Sequence, residues 1–428
     1  MAAWIFIVFG LALVLSVPIA GSMMLGTLTP VVLGGPGASI GQLVANSFGG
    51  ADSTPILAVP LFILAGVIMA EGGISRRLFN VFAYFVGKFT GGLPCAVIMT
   101  CLFYGAISGS GPATTAAVGA MTIPFLADLG YNKIFVCAMV ATAGGLGVII
   151  PPSIPFVLYS MATGVSTGAL FLAGVIPGIF IGVCLMGYAY YYCRKHGEDR
   201  QKINERLTEL RSAGLLKLFR ESSWALLSPV IVLGGIYSGA VTPTEAACVS
   251  VIYSLIVSLF IYRTIKMKDI IPFFNKAVKT YAPLVFVIAF ANAFGRVLSL
   301  ARTPEVIRLF IANYFSSPWT VLTLIAILFL FLGMVMDTGP AIVILAPILL
   351  PAVKALGVDE VHFGVIMVCC LSIGLVTPPF GLNLFVTTSL SGIPPMTIAR
   401  QAVPFILAFG IALFLITYVP WFSLVLLR

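Results

Sequence analysis

Residues 146–159 read LGVIIPPSIPFVLY, and residues 375–385 read LVTPPFGLNLF. Each stretch places two consecutive prolines inside a long apolar run. Proline lacks a backbone N–H and breaks an α-helix, and the hydrocarbon core of a membrane offers no water to the freed carbonyl groups. Two such breaks therefore indicate irregular backbone that is satisfied by protein groups or lines an internal cavity.

The composition is that of a polytopic membrane protein. Of the 428 residues, 60% are hydrophobic and 9% are charged. Apolar runs at residues 4–25, 224–240 and 402–427 could each cross a hydrocarbon layer about 30 Å thick. The first run has no basic leader and no small-residue cleavage site, so we expect a retained span and not a removed signal peptide.

Neither the net charge nor the cysteines indicate a nucleic-acid partner or a metal cluster. The net charge is +9, but the basic residues are scattered between apolar spans, which favours a role in membrane topology. The eight cysteines show no CxxC spacing. We therefore predict buried free thiols and no cofactor.

The double prolines belong to an internal repeat. Pro151-Pro152 aligns with Pro378-Pro379, and three further pairs match. These are Gly111-Pro112 with Gly339-Pro340, Leu129-Gly130 with Leu356-Gly357, and Pro177 with Pro404. The offset is 228 residues for the Gly-Pro pair and 227 for the others (378 − 151 = 227), so one single-residue gap aligns the halves. Such repeats are common in secondary transporters.

Each half is predicted to contain three apolar spans, a re-entrant hairpin, a proline-broken helix and a final span. The arms of the first hairpin, at about residues 93–107 and 113–126, are shorter than the roughly 20 residues that a spanning helix needs. The hairpin tips fall at residues 108–112 and 336–340, and the breaks near residues 147–153 and 374–381. The predicted fold is therefore an all-α membrane protein.

Charge supports an inverted arrangement of the two halves. Five crossings per half place the halves in opposite orientations. If the polar connecting segment, residues 194–221, is cytoplasmic, 18 Lys and Arg residues lie inside, 4 lie outside, and Arg296 lies within a span. This asymmetry is typical of the positive-inside rule, and it predicts that both termini are periplasmic. The connecting segment itself is predicted to be a solvated helical hinge.

The breaks are predicted to bind Na⁺ and an organic anion. Half-helix N-termini suit a carboxylate, whereas unwound carbonyls and helix C-termini suit Na⁺. Side-chain oxygens, which a hard cation prefers, cluster at the same places. They belong to Ser108, Ser110, Thr114 and Thr115 at the first tip, Asp337 and Thr338 at the second, Ser153 and Thr377 beside the prolines, and Asn383 beyond.

Each of these residues also has a purely structural interpretation. An acid in an apolar run marks an ion or substrate site by default, so Asp337 is the strongest candidate. Its structural alternative is a helix cap, and one residue could do both. The hydroxyls could instead pack helices together. Arg296 could pair with a substrate carboxylate or, as we favour, snorkel from its span.

An intramembrane hydrolase is the alternative from another functional class. An aspartyl protease needs two aspartates within the membrane, but only Asp337 is deeply placed, and Asp52 lies near a span end. His196, in the polar segment, and His362, at a span edge, are poorly placed to activate a serine. We therefore expect no enzyme.

The sequence resembles the large membrane subunit of the tripartite ATP-independent periplasmic (TRAP) transporters. The matching strings are spread in order over nearly the whole chain. They are SGSGPATTAAVG (residues 108–119), GVIIPPSI (147–154), YSGAVTPTEAA (237–247), GPAIVILAPILLP (339–351), HFGVIMV (362–368) and TPPFGLNLF (377–385).

This resemblance implies Na⁺-coupled uptake of an organic acid across the bacterial inner membrane, with a periplasmic binding protein and a small four-helix membrane subunit as partners. It also implies an elevator, in which a transport domain moves against a scaffold. The scaffold would comprise residues 1–90 and 222–316, and the transport domain residues 91–193 and 317–428.

The resemblance further implies site residues. One Na⁺ site region would contain Ser108, Ser110, Gly145, Val148 and Pro151, and the other Asp337, Gly374 and Thr377. Thr114, Ser153, Thr338 and Asn383 would lie in the substrate region. Na⁺ is the only metal ion expected.

The expected substrate is sialic acid, with alternatives. Many family members have an asparagine, often followed two positions on by an acid, where this chain has Cys370 and Ser372. A bulky hydroxylated acid needs fewer charged partners than a dicarboxylate. A C4-dicarboxylate or another organic acid remains possible, as does a stand-alone Na⁺/dicarboxylate symporter that needs no partners.

Overall fold

A computed structural model describes residues 2–35, 39–212, 214–314 and 317–427, and within these ranges the regular structure is helical, without β-strands. The first repeat contains α1 (Ala2–Val14), α2 (Ile19–Val32), α3 (Ile40–Ala51), α4 (Ala58–Glu71), α5 (Ile74–Val86), α6 (Gly92–Ser108), α7 (Gly111–Asp128), α8 (Lys133–Gly144), α9 (Ile154–Thr163) and α10 (Thr167–His196). The connecting segment contains α11 (Arg200–Ser212).

The second repeat follows the same plan. It contains α12 (Leu215–Tyr237), α13 (Pro243–Ile256), α14 (Ile270–Leu300), α15 (Thr303–Tyr314), α16 (Pro318–Val335), α17 (Thr338–Ala355), α18 (Glu360–Gly374), α19 (Leu382–Ser391), α20 (Pro395–Tyr418) and α21 (Trp421–Leu424). Among the described residues, seven helical segments are long and apolar enough to cross a membrane.

The first apolar run is two helices, so the prediction of one span over residues 4–25 is wrong. Helix α1 ends at Val14, and α2 begins after Pro18 and packs against α1. Pro18 disfavours the helical conformation of Val17, the residue before it. One residue earlier, Ser16 adopts a left-handed conformation with φ 63°. The chain reverses direction here, where the sequence pattern alone suggested continuity.

The hairpin arms are longer than predicted. Helices α6 and α7 have 17 and 18 residues, and α16 and α17 have 18 each. A helix of 18 residues is about 27 Å long, so arm length does not separate a re-entrant hairpin from a spanning pair. What identifies the hairpins is that both tips lie inside the protein and line one cavity.

The hairpins point in opposite directions, as inverted repeats require. The far end of α7, around Phe125 and Asp128, lies beside α5 and α11. The far end of α17, around Pro347 and Pro351, instead lies beside α3 and the C-terminal part of α14. The two repeats are therefore related by an approximate two-fold axis that passes between the tips.

Helices of the two repeats pack into one hairpin body, α6–α10 with α16–α20. Across the repeats, α10 and α8 pack on α20, α7 packs on α19, and α9 packs on α17. The remaining large helices form a flanking body, in which α14 packs on α2, α3 and α4, and α13 packs on α4. The division into a fixed scaffold and a mobile transport domain stays a prediction.

Paired glycines seat each hairpin on the break of its own repeat. Gly105 of α6 lies against Gly147, where an added Cβ would come within 2.7 Å of the Gly147 Cα. At the equivalent positions of the second repeat, Gly333 of α16 lies against Gly374, and a Cβ on Gly374 would overlap the Gly333 backbone. Each hairpin and its break thus touch backbone to backbone.

The connecting segment forms a helix with a largely exposed surface, as predicted, but one face of it is docked on the protein. Its role as a hinge stays a prediction. Ile203 and Leu207 of α11 are buried, and the Glu198 side chain is only 2% exposed. Glu198 accepts hydrogen bonds from the Gly91 N–H (3.0 Å) and from the Tyr131 hydroxyl (2.6 Å). A mixed-charge pattern does not reveal that one acid is needed at the N-terminus of α6.

Burial and the hydrogen bond to Glu198 raise the pKa of Tyr131, so this phenol remains a neutral donor. Arg200 completes the cluster by pairing with Glu198 (3.1 Å) and donating to the Lys88 carbonyl (3.0 Å). The carboxylate therefore joins three segments: the loop before α6, the loop after α7 and the connecting segment.

We expect Gly374→Ala to lower the stability of the purified protein by about 1–3 kcal/mol, because the new methyl group must push α16 off the break. Thermal unfolding in detergent, followed by intrinsic fluorescence, measures this loss. The control is Gly410→Ala in α20, where no atom lies within 4 Å of the added Cβ. Equal melting temperatures for the two variants would contradict the backbone contact.

We expect Glu198→Ala to destabilise the protein by about 2 kcal/mol, because the Gly91 N–H and the Tyr131 hydroxyl lose their acceptor. The matched control is Glu209→Ala, which removes an exposed partner of Arg206 and should change stability by about 0.5 kcal/mol or less. Thermal unfolding distinguishes the two variants. A connecting segment without a structural role would give two equally small effects.

Candidate functional site

The first hairpin tip is a compact network of hydroxyls and carbonyls. The Ser108 and Thr114 hydroxyls are 2.8 Å apart, and Thr114 also donates to the Ser110 carbonyl (2.8 Å). Between them Gly109 has φ +61°, a conformation that glycine adopts without strain. These bonds hold the α6–α7 turn closed and aim the start of α7 into the protein.

The first break unwinds the chain between α8 and α9. A 3₁₀ turn covers Gly145–Val148, and irregular backbone continues to Ser153. Ser153 caps α9 by accepting the Phe156 N–H, and its hydroxyl donates to the Val148 carbonyl (2.5 Å). The Ile154 N–H donates to the Gly109 carbonyl (3.2 Å), which ties the break to the tip.

The second tip is built around Asp337, which caps α17 as the structural interpretation expected. Its Oδ1 accepts the Thr338 N–H (2.7 Å) and the Thr338 hydroxyl (3.3 Å). Its Oδ2 has no hydrogen-bond partner among the described residues. One carboxylate oxygen therefore serves the helix, and the other is free for a ligand.

The second break runs from Leu375 to Gly381, between α18 and α19. The Thr377 hydroxyl donates back to the Ile373 carbonyl (2.8 Å), and the Phe380 N–H donates to the Met334 carbonyl of α16 (3.1 Å). In both repeats, therefore, the backbone that follows the double proline donates a hydrogen bond to the hairpin of the same repeat.

The first break meets the last turn of α18, just before the second break, at symmetry-equivalent positions. The Ser372 hydroxyl donates to the Gly145 carbonyl (2.8 Å), and both residues are buried. The residues are 227 positions apart (372 − 145), which is the repeat offset. This contact places the approximate two-fold axis between the breaks. Ser372 was noted only as a departure from a family pattern, and its contact has no local sequence signal.

Asn383 adds a second link between the repeats. Its side-chain amide donates to the Ala141 carbonyl of α8 (2.8 Å), while its Oδ1 is buried without a hydrogen-bond partner among the described residues. A buried amide oxygen without a donor is costly unless a water molecule or a cation reaches it. The packing of Asn383 thus leaves one acceptor beside the start of α7.

The two tips line one cavity of about 670 Å³, which we call the connector-side cavity. Its other wall comes from α4 and α14 of the flanking body. Glu71 and Lys276 lie at its mouth as an ion pair of 2.8 Å. Glu71 ends α4, and the following helix, α5, packs against α11, so the cavity opens on the side of the connecting segment.

The charges of this cavity are few. Among the described residues that line it, Asp337 and Glu71 are the acids and Lys276 is the base. Sequence analysis missed Lys276 because nothing in the local pattern distinguishes it from other basic residues near span ends. A cavity of this size, lined mostly by apolar side chains and few charged ones, suits a small organic ligand.

The structure brings five of the predicted site residues to the cavity wall. They are Ser108, Ser110, Val148, Asp337 and Thr338. The other seven lie off this wall, within or beside the breaks. They are Gly145, Pro151, Thr114, Ser153, Gly374, Thr377 and Asn383. Their assignment to ions or substrate stays a prediction.

The described residues provide no arrangement for hydrolysis. His362 is buried between the Ser423 hydroxyl and the Thr417 carbonyl, and His196 is stacked on Tyr192 at the surface. Neither histidine lines the connector-side cavity. The described residues contain no group of three or more His, Cys, Asp or Glu that could hold a metal ion.

Comparison with known proteins gives relatives along almost the whole chain. An isethionate TRAP transporter permease protein of Oleidesulfovibrio alaskensis is 42% identical over 96% of this chain, which spans 64% of that relative's length. A C4-dicarboxylate TRAP transporter large permease of Pseudomonas aeruginosa is 40% identical, covering 91% of this chain and 90% of the relative. A sialic acid TRAP transporter large permease of Vibrio cholerae is 35% identical, covering 88% and 87%.

A solved structure supports the fold. The chain is similar to the Alcanivorax borkumensis YdaH transporter, which has an unusual topology, with a TM-score of 0.64 over 89% of this chain and 87% of that one, at 14% identity. The family described as tripartite ATP-independent periplasmic transporter, DctM component, matches residues 4–422. The chain belongs to this family, and is therefore a multi-pass membrane permease of a TRAP transporter and not an enzyme.

Proposed function

We propose that this permease takes up a small organic anion with Na⁺, by an elevator movement of the hairpin body against the flanking body. The observation that carries the proposal is the cavity between two inverted hairpin tips, where a free Asp337 oxygen lies near unwound backbone. Such a place offers cation ligands and helix N-termini together, as coupling requires.

The Na⁺ ions are proposed to bind at the breaks. The unwound backbone at Gly145–Val148 lies close to the Ser108 and Ser110 tip, and a carbonyl that accepts one hydrogen bond there keeps a second lone pair for a cation. The Asp337 tip leads into α17 on the other side of the cavity. Oxygen ligands of these kinds suit a hard cation. Both proposed regions contain backbone from a break and side chains from a tip.

The contact surface between the hairpin body and the flanking body supports the proposed elevator movement. Helix α7 presents small side chains to the cavity at helical spacing, namely Ala113, Ala116, Ala117 and Ala120. Gly66 of α4 lies against the Ser108 backbone, with 3.2 Å between an added Cβ and the Ser108 Cα. Small residues on the α7 side limit interlocking of side chains, and one hydrogen bond, from the Tyr104 hydroxyl to the Gly66 carbonyl (3.0 Å), joins α6 to α4.

The substrate is proposed to be a carboxylate or sulfonate. Relatives at 35–42% identity carry names of isethionate, C4-dicarboxylate and sialic acid transporters, and these compounds share a small size and at least one anionic group. Lys276, the base at the cavity mouth, suits any of them. Sialic acid is our first candidate because α18, which leads into the second break, carries the neutral residues Cys370 and Ser372.

The partners are proposed to be a small membrane subunit and a periplasmic binding protein that delivers the substrate. Family membership supports both partners. The bacterial inner membrane is the proposed location, with the connecting segment in the cytoplasm and both termini in the periplasm. A stand-alone symporter would instead take up its substrate in vesicles without any binding protein, so this comparison separates the two hypotheses.

We expect Asp337→Asn to abolish or strongly weaken Na⁺-dependent uptake, because asparagine keeps the helix cap but removes the negative charge. Uptake of the three candidate acids is measured in proteoliposomes with both partners and an inward Na⁺ gradient. The matched control is Asp359→Asn, which alters a similar cap at the start of α18, away from the cavity. Unchanged Na⁺ dependence in Asp337→Asn would overturn this role.

The proposed orientation predicts that a cysteine replacing Glu205 in α11 is labelled by an impermeant maleimide only from the cytoplasm. A cysteine replacing Glu305 in α15 should be labelled only from outside, because α15 comes directly after the C-terminal end of α14, on the side opposite the connecting segment. Both side chains are exposed. The exposed native Cys248 is first replaced by alanine. Reversed labelling of the pair would overturn the orientation.

A further inference from the structure

A second cavity, of about 690 Å³, lies between the two bodies on the side opposite the connecting segment. We call it the far-side cavity. Its flanking wall comes from the end of α3 and the C-terminal part of α14, and its other wall comes from α9 and α17 of the hairpin body. It shares Leu158 with the connector-side cavity, so this side chain lies between the two cavities.

Arg296 is the one charged residue among the described residues that line the far-side cavity. Its side chain is exposed and makes no ion pair with another described residue. Arginine inside a membrane is costly and usually faces a water-filled cavity that serves as a substrate or ion pathway. Snorkelling, which the sequence analysis favoured, stays a prediction.

Arg296 belongs to a polar stripe on α14. Asn292 and Ser299 lie four residues before it and three residues after it, and all three line the cavity. None of the three side chains hydrogen-bonds to another described residue. Asn292 is held in place by α3, since a Cβ on Gly50 would come within 2.7 Å of the Asn292 Cβ. The stripe thus offers a guanidinium, an amide and a hydroxyl without protein partners.

The wall that faces this stripe provides no anion. The hairpin body lines the cavity with apolar side chains, namely Leu158, Met161, Ala162, Val343, Pro347, Ile348 and Pro351. The guanidinium therefore has no counter-ion in this conformation from the part of the chain that the structure describes. A conformation with the tips moved along α14 would change what faces it.

The required movement can be estimated from α14 itself. The second tip now lies beside Leu284, since an added Cβ on Gly339 would come within 3.4 Å of the Leu284 Cδ2. From Leu284 to Arg296 the helix rises about 18 Å at 1.5 Å per residue. Both residues belong to α14, so sliding the hairpin body along one helix brings the tip to the level of the stripe.

We propose that Arg296, with Asn292 and Ser299, is a binding subsite for the anionic group of the substrate when the site opens on the far side. The proposal rests on the proposed function, because it takes an organic anion as the substrate. The planar guanidinium binds a carboxylate or sulfonate through two parallel hydrogen bonds. Its single positive charge in a low-dielectric cleft also attracts anions from the far side.

Kinetics provide the first test. Uptake of succinate, isethionate and N-acetylneuraminate, each with a corresponding binding protein, is measured in proteoliposomes that contain the full chain and the small subunit. With the anion that the parent transports, Arg296→Gln should raise the half-saturating concentration at least 10-fold and change the maximal rate less than 3-fold. Arg296→Lys should be intermediate, because it keeps the charge but loses the planar fork.

The matched control is Arg308→Gln on α15. It removes a positive charge on the same side of the molecule, from an exposed residue paired with Glu305 and absent from the cavity wall. It should leave both kinetic constants within 2-fold of the parent. Equal shifts in the two Gln variants would mean that general surface charge is responsible, and would overturn the subsite.

Labelling separates anion binding from docking of a binding protein. Ser299→Cys, in a Cys248→Ala background, is labelled from outside by an impermeant maleimide with each of the three free anions present. At least one anion should slow labelling 5-fold or more, and Arg296→Gln should remove this protection. If none of the three anions slows labelling, the subsite is overturned. If the parent protein takes up none of the three anions in a Na⁺-dependent way, the proposed function is overturned instead.

Discussion

The fold depends on satisfying backbone groups that two double prolines leave without helical partners inside a membrane. The structure meets this constraint with groups from nearby loops and hairpins. Ser153 donates to the Val148 carbonyl, Thr377 to the Ile373 carbonyl, and the Ile154 N–H to the Gly109 carbonyl. Because each break needs its own hairpin close by, the hairpins must enter the protein interior, and the cavity between their tips follows.

Close backbone contact has a consequence for movement. Gly105 lies against Gly147, and Gly333 against Gly374, with no room for a side chain between them. Ser372, in the last turn of α18 before the second break, then joins the first break through the Gly145 carbonyl. Each hairpin is therefore tied to its break, and the breaks to each other, so any movement relative to α14 carries both tips together. The first hairpin also contacts α4, where the Tyr104 hydroxyl donates to the Gly66 carbonyl (3.0 Å), so a movement against the flanking body must break this hydrogen bond.

Local chemistry determines how much the sequence predicts. The breaks, the tips and the repeat are visible in the sequence because proline and glycine act on their own neighbours. The contact of Ser372 with Gly145 joins residues far apart in the chain, and the burial of Glu198 depends on the loop before α6. Such pairings arise only from packing. The stripe around Arg296 is different, since helical spacing on α14 could have shown it.

Electrostatics explain why such a site would couple an anion to Na⁺. Within the described part of the hairpin body, Asp337 is the one charged residue that lines the connector-side cavity, and Lys276 and Glu71 belong to the flanking body. A hairpin body carrying an organic anion beside Asp337 would hold two negative charges at the cavity, where none of the described lining residues of that body is basic. Moving these charges along α14, away from Lys276 and from water, is costly without counter-ions. Na⁺ bound at the breaks would lower this cost within the moving part itself. Under the proposed function, coupling would require no separate gate, because the anion without Na⁺ would leave the transported site with two uncompensated negative charges.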